Sequence, residues 1–167
     1  MSYLLTVSGS PHPQSKTSQF LTALRQFSDL PLRACPDLAD LPVFQPERDR
    51  SPWPPAVVAY RRAWREARGV IIATPAYLHN VPGVLKNALD WLASSGEASQ
   101  RRVLALTFTP APPRGDRARQ SLLWSLEALD ARVVAEAAIY QTELDFGSGK
   151  FVSATGELLR EALRLLT

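Results

Sequence analysis

Cysteine occurs once, at Cys35, and histidine twice, at His12 and His79. A single thiol excludes an intramolecular disulfide and fits a reducing compartment. Two histidines without H-x-x-x-H or H-E-x-x-H spacing, and no second cysteine, leave no ligand set for a metal. No G-x-S-x-G segment is present, so the serine-hydrolase signature is missing. No stretch approaches the roughly 18 uninterrupted apolar residues of a membrane span. The opening Met-Ser-Tyr-Leu-Leu-Thr-Val is a short apolar run with no basic segment before it, unlike a signal peptide. These absences predict a cytoplasmic protein with no metal and no membrane partner. Lysine is scarce too: Lys16, Lys86 and Lys150 are the full set, and arginine supplies the rest of a net charge of +3. Apart from Arg61-Arg62 and the run from Arg114 to Arg119, the basic residues are scattered. No concentrated basic stripe speaks for nucleic acid.

What is present is material for one core. The chain has 167 residues, 46% of them hydrophobic, which predicts a single domain over 1–167. Its centre is Gly69 to Leu92. Val70 to Ala73 is a continuous, partly β-branched apolar run, as in a strand buried on both faces. Thr74 to Val81 reads as a loop. From Pro82 the pattern turns helical, with Val84, Leu85, Ala88, Leu89 and Leu92 on one stripe. The loop thus lies at the carboxyl end of a buried strand, where open α/β sheets bind ligands.

The same alternation runs through the rest. Tyr3 to Ser8 reads as the first strand, and a helix with Phe20, Leu21, Leu24 and Phe27 on one face follows. Leu32 to Cys35 reads as a short second strand. Asp37 to Pro55 is irregular and proline-rich, a long segment expected over the sheet edge or against a neighbouring subunit. Val57, Tyr60, Trp64 and Ala67 mark a second helix, with Gly69 as its C′ residue. Val103 to Phe108 is the next strand, before a loop from Thr109 and a helix that Asp116 caps, with Ala118, Leu122, Leu126 and Leu129 inward. A fifth strand begins near Val133-Val134, with an interruption expected near Glu136. Gln141 to Val152 reads as a loop. The last helix starts at Ser153 or Thr155 and buries Leu159, Ala162, Leu163 and Leu166. The outcome is a three-layer α/β fold on a five-stranded parallel sheet.

Between the first strand and helix lies Gly9-Ser-Pro-His-Pro-Gln-Ser-Lys-Thr. A helix start offers unpaired N–H groups and a dipole that favours an anion, and Ser10, Ser15 and Thr17 add hydroxyls. That suits a phosphate. The alternative is that Ser15 and Thr17 merely cap the helix. A nucleotide-triphosphate P-loop is disfavoured, because Ser10 to Thr17 reads S-x-x-x-x-S-K-T and lacks both glycines of that motif.

Thr74-Pro-Ala-Tyr-Leu-His-Asn-Val-Pro-Gly-Val-Leu-Lys-Asn-Ala-Leu-Asp-Trp resembles the flavin-contacting loop and following helix of the NAD(P)H-dependent FMN reductases, whose pattern is roughly T-P-E-Y-N-x-S-x-P-G-x-L-K-N-x-x-D-W. Thr74, Pro75, Tyr77, Pro82, Gly83, Leu85, Lys86, Asn87, Asp90 and Trp91 match. Ala76, Leu78 and Asn80 depart from the usual Glu, Asn and Ser. The Gly9 loop is similar to the family's phosphate loop, with His12 where arginine is usual. The resemblance implies a flavodoxin-like sheet of order 2-1-3-4-5. It also implies FMN as cofactor and NADPH or NADH as co-substrate. The cofactor-binding residues it implies are Ser10, His12, Ser15, Lys16 and Thr17 at the phosphate. Around the ring they are Pro75, Ala76, Tyr77, Leu78, His79, Phe108 and Thr109.

Within that reading Tyr77 stands beside the isoalloxazine or packs under its own loop. His79 lines the nicotinamide or acceptor site or is solvated. Asp90 is structural, and no catalytic acid or base is expected, because the flavin carries the chemistry. Relatives have a glycine-rich segment after the fourth strand. Here Pro110, Pro112 and Pro113 leave only Gly115, which removes N–H donors from that side. The expected activity is hydride transfer from a nicotinamide to FMN and on to a flavin, quinone or similar acceptor, by a two-step, ping-pong route. The alternative is a flavodoxin-like FMN-binding or electron-transfer module with weak or no reductase activity. Ala76 and the proline-rich fourth loop favour it, while the intact Tyr77-to-Trp91 run and the pI of about 9.3 disfavour it, since such carriers are strongly acidic. A homodimer or homotetramer is expected through the Leu85–Leu92 helix, with Trp91 adding apolar surface.

Overall fold

The computed structural model describes residues 2–167. Five parallel strands form the central sheet: β1 (Leu4–Ser8), β2 (Leu32–Ala34), β3 (Gly69–Thr74), β4 (Arg102–Thr109) and β5 (Arg132–Tyr140), in spatial order β2-β1-β3-β4-β5. The order predicted from the family resemblance is the one observed. Alternation along the strands divides the core in two. Leu5, Val7, Val70, Ile72, Val103 and Ala105 face one side, against α2 (Pro55–Glu66), α3 (Gly83–Asp90) and α4 (Asp116–Ala128). Leu4, Ile71, Ala73, Leu104, Leu106 and Phe108 face the other, against α1 (Lys16–Ala23) and α5 (Ser153–Arg164). Residues two apart share a face in a strand, and here both faces are covered, so β3 reads as an unbroken apolar run. Every residue of β3 is buried.

Several boundaries differ from the sequence expectation. Gly69 does not end α2; it opens β3. A Cβ there would sit 3.1 Å from the Leu166 side chain, so the glycine serves close packing under the chain's last turn. Asp116 is the first residue of α4, and the cap position is Gly115, at φ 102°. Strand β5 runs unbroken through Glu136. Its irregularity lies earlier, where the register shifts so that Val103 and Leu104 face Val133 and Ala135. The extra residue is Val134, a bulge. The segment after β5 is not wholly loop: β6 (Leu144–Asp145) and β7 (Lys150–Phe151) form a short antiparallel pair. Two-residue strands are too short to leave a period in the sequence.

The irregular 37–55 segment is bound to its own chain. Asn87 on α3 accepts from the Phe44 amide at 2.7 Å and donates to the Pro42 carbonyl at 3.0 Å. The Trp91 indole donates to the same carbonyl at 2.8 Å. The buried Arg61 guanidinium donates to the Trp91 carbonyl at 2.6 and 2.9 Å and to Asp49 Oδ1 at 2.8 Å. Trp91 is fully buried within the chain, so it adds no apolar surface to a subunit contact. Lys86 and Asp90 pair with each other at 2.6 Å across one helical turn, on the exposed face of α3. The matched residues Lys86, Asn87, Asp90 and Trp91 thus stiffen α3 and hold the long loop.

Candidate active site

The carboxyl ends of β1, β3, β4 and β5 open on a cleft of about 510 Å³. Its first wall is the loop between β1 and α1. Ser15 is the N-cap of α1, and its hydroxyl accepts from the Ser18 amide at 3.1 Å. The amides of Lys16 and Thr17 open the helix and have no carbonyl a turn behind them. Ser10, Ser15, Lys16 and Thr17 all line the cleft. His12 does not. It is exposed, its Nδ1 accepts from the Gln14 amide at 3.1 Å, and its own amide donates to the Ser10 hydroxyl at 3.3 Å. The imidazole closes a turn of its own loop and stands outside the cleft. This corrects the expectation for His12.

The second wall is the loop after β3. Pro75, Ala76, Tyr77, Leu78 and His79 line the cleft. Tyr77 and Asn80 exchange two backbone hydrogen bonds, both at 2.9 Å. The tight turn between them puts Leu78 at φ 50° and His79 at φ 63°. Asparagine and glycine suit such a turn and leucine does not, so Leu78 holds a costly conformation. It is 99% exposed, and Tyr77 is half exposed. Tyr77 therefore faces the cleft and does not pack under its loop.

The third wall comes from β4. Phe108 and Thr109 line the cleft, and Phe108 stacks on Phe20 of α1 with centroids 4.4 Å apart. The Thr109 hydroxyl donates to the Arg114 carbonyl at 2.8 Å, pinning the proline-rich loop. A Cβ on Gly115 would come within 3.0 Å of Thr109 and 3.1 Å of Thr107 Oγ1. Pro110, Arg114, Gly115 and Gln141 also line the cleft; the sequence puts the Pro110–Gly115 loop on this side but marks none of the four as cofactor-binding. The rule that ligands bind at strand carboxyl ends reaches all of them, because each lies just after β4 or β5. Gln141 accepts from Lys16 Nζ at 3.0 Å, joining the first wall to the loop after β5. Among the described residues the cleft lining contains no carboxylate.

Fit between the walls depends on Gly9. A Cβ at this position would lie 2.5 Å from Thr74 Oγ1 and 2.8 Å from Thr74 Cβ. Gly9→Ala is expected to cost about 1–3 kcal/mol of stability by overpacking. Urea unfolding measures it; an unchanged midpoint would mean the strand ends yield freely.

The arrangement suits a phosphate-bearing planar ligand. Orphan amides and hydroxyls stand at one end, Tyr77 and Phe108 farther along, and the cleft volume lies in the range of cofactor sites. Comparison with known proteins agrees. Residues 3–143 match the family model for NADPH-dependent FMN reductases. The quinone reductase of Escherichia coli K12 is 30% identical over 132 residues, covering 75% of this chain and 70% of the relative. The NADH:(hydroxy)cinnamate reductase subunit CrdA of Vibrio ruber is 32% identical over 127 residues, covering 75% of this chain and 61% of that one. The fold is shared with FerB, a flavoenzyme NAD(P)H:(acceptor) oxidoreductase from Paracoccus denitrificans, at TM-score 0.79 and 16% identity over 99% of this chain and 95% of that chain. The chain belongs to the NADPH-dependent FMN reductase family and is an FMN-dependent NAD(P)H oxidoreductase.

Proposed function

We propose that FMN lies along this cleft with its phosphate on the Ser10–Thr17 loop, and that the protein passes electrons from NAD(P)H to a quinone or flavin. The observation that carries the reading is the continuity of the cleft from the α1 N-terminus to Tyr77 and Phe108. Bound FMN would supply the redox chemistry, hydride acceptance and electron delivery. The protein's part is binding and orientation. Ser10, Ser15, Lys16 and Thr17 neutralise and fix the phosphate. Pro75 to His79 and Phe108-Thr109 shape the ring site. His79 and Arg114 line the cleft, where the Arg114 guanidinium meets the anionic nicotinamide nucleotide and the His79 ring offers it a hydrogen bond. A small quinone is the acceptor class, by analogy with the relatives, and the lone Cys35 fits a cytoplasmic setting.

Self-association belongs to the same reading but needs a surface other than Trp91. Tyr77 and Leu78 at the cleft mouth and Trp124 on α4 are among the exposed apolar groups, with Val43, Val58, Leu158 and Leu165 elsewhere on the surface. Light scattering showing only an 18.4 kDa species would remove the homo-oligomer.

The decisive test is titration of the apo-protein with FMN by flavin fluorescence, followed by NADPH oxidation with a quinone. Binding and turnover are expected. Absence of binding would overturn the reading, and binding without turnover would leave the electron-transfer module. With Pro110, Pro112 and Pro113 in the fourth loop, affinity is expected to be looser than is usual for the family. Sub-nanomolar affinity would show that the prolines do not matter.

A further inference from the structure

A second cavity, of about 270 Å³, opens beside the phosphate loop near the edge strand β2. It shares Ser10 with the FMN cleft. A chain of hydroxyls also links the two: Ser18 donates to Ser8 at 3.2 Å and lies 3.0 Å from Ser15. Ser8 and Ser18 line the second cavity and Ser15 the first.

The lining has two chemistries. Leu21, Leu32, Leu38 and Ala34 supply apolar surface, and Cys35 adds a thiol that burial keeps protonated. Arg25 and Asp37 are exposed at its margin. Asp37 Oδ1 accepts from the Ala39 amide at 2.9 Å. Among the described residues its second oxygen takes no hydrogen bond, and Arg25 joins no ion pair. In the dinucleotide-binding class of doubly wound sheets, with strand order 3-2-1-4-5-6, an acidic residue about 20 positions after the first strand-to-helix loop takes a ribose hydroxyl of a dinucleotide whose phosphates rest on that loop. Asp37 stands just beyond β2, and the Ser10–Thr17 loop is that loop.

We propose that this cavity receives an adenosine 5′-phosphate unit, the AMP half of a dinucleotide whose other half lies in the neighbouring cleft. Asp37 accepts from the ribose hydroxyls, Arg25 meets the adenosine-side phosphate, and Leu21, Leu32 and Leu38 enclose the adenine. The volume is below the range of about 300–1,000 Å³ for drug-sized ligands, which suits one nucleoside and not a whole dinucleotide. The path between the two cavities rests on the flavin placement proposed above. Two dinucleotides carry this unit, FAD and NAD(P)H.

Adenosine itself is the first probe. It has no phosphate to compete for the loop, so calorimetry should show it binding both apo-protein and FMN-loaded protein. Thr22 is exposed on α1 and lines the cavity, so Thr22→Trp fills it without touching the FMN cleft. Asp37→Ser keeps a capping oxygen for the Ala39 amide but withdraws the carboxylate. Both variants should weaken adenosine by about tenfold or more and leave FMN affinity unchanged. The source is then read from titrations. FAD binding tighter than FMN, with the advantage lost in both variants, assigns the site to FAD. A weaker NADPH affinity of the FMN-loaded variants, with FAD and FMN bound alike, assigns it to the nicotinamide nucleotide. No adenosine binding at millimolar concentration, or equal binding by wild type and variants, overturns the proposal. Adenosine binding by a protein that takes no FMN would sink the flavin reading alone.

Discussion

Asp49→Ala is expected to destabilise the protein by about 3–5 kcal/mol, the cost of stranding one partner of a buried ion pair. For a chain of this size that is roughly 6–20 °C in melting temperature. Asp49 and Arg61 are 2.8 Å apart with side chains 6% exposed each. Without the carboxylate, Arg61 keeps only the Trp91 carbonyl and the Trp53 and Trp91 ring faces. The Trp53 indole and the Ser94 hydroxyl lose their acceptor as well. The sign of the pH dependence follows. Burial works against the charge of Asp49, but hydrogen bonds from Ser94, Arg61 and Trp53 and the guanidinium's charge outweigh it and hold the carboxyl below its ordinary value. A depressed folded-state pKa gives stability that is full above the unfolded-state value, roughly pH 4, and is lost as pH falls through the folded-state value. Wild type should therefore lose more stability on acidification than Asp49→Ala. Calorimetric melts at pH 7 and below pH 4 check both claims; a variant within about 1 kcal/mol of wild type at pH 7 would mean the pair behaves like an exposed one.

That ion pair was invisible in the sequence, and the reason is general. Asp49 sits in a proline-rich segment without a period, and Arg61 is a charged residue on the buried face that Val57, Tyr60 and Trp64 define, where an apolar pattern passes over it. Only the tertiary fold brings the segment and helix together. The strands were legible, because a strand buried on both faces must be an apolar run, as Val70 to Ala73 and Val103 to Phe108 are. The site was legible where it follows the strand ends. Eleven of the twelve residues expected to bind the cofactor line one cleft, and the exception is His12. Matching His12 to an arginine assumed that position alone aims a side chain; Pro11 and Pro13 beside it shape a turn in which the imidazole serves the backbone. Trp91 misled in the opposite direction. Its place beside an apolar stripe suggested an outer surface, whereas its indole N–H needed the Pro42 carbonyl, which only an inward ring reaches.

Replacing Ser15 and Thr17 together by alanine should weaken FMN binding by about two orders of magnitude or more. Hydrogen bonds to a charged group contribute roughly 1.5–3 kcal/mol each, and a factor of ten is about 1.4 kcal/mol. The two contributions add if the sites are near independent. Ser15 also caps α1, so the variant loses about 1 kcal/mol of stability whatever the ligand. Thr17 is buried at the cleft wall and makes no cap. The two roles separate with riboflavin, which has the same ring and no phosphate. A loop that cradles phosphate makes the FMN loss large and leaves riboflavin nearly unmoved. A loop that only starts the helix affects both ligands alike through its effect on the fold. Fluorescence titration of the variant with both flavins, beside its urea midpoint, gives the three numbers required. An equal fall in affinity for FMN and riboflavin would place the phosphate elsewhere. A selective loss of FMN would assign the α1 N-terminus, with its two orphan amides and two hydroxyls, as the anchor from which the ring reaches Tyr77.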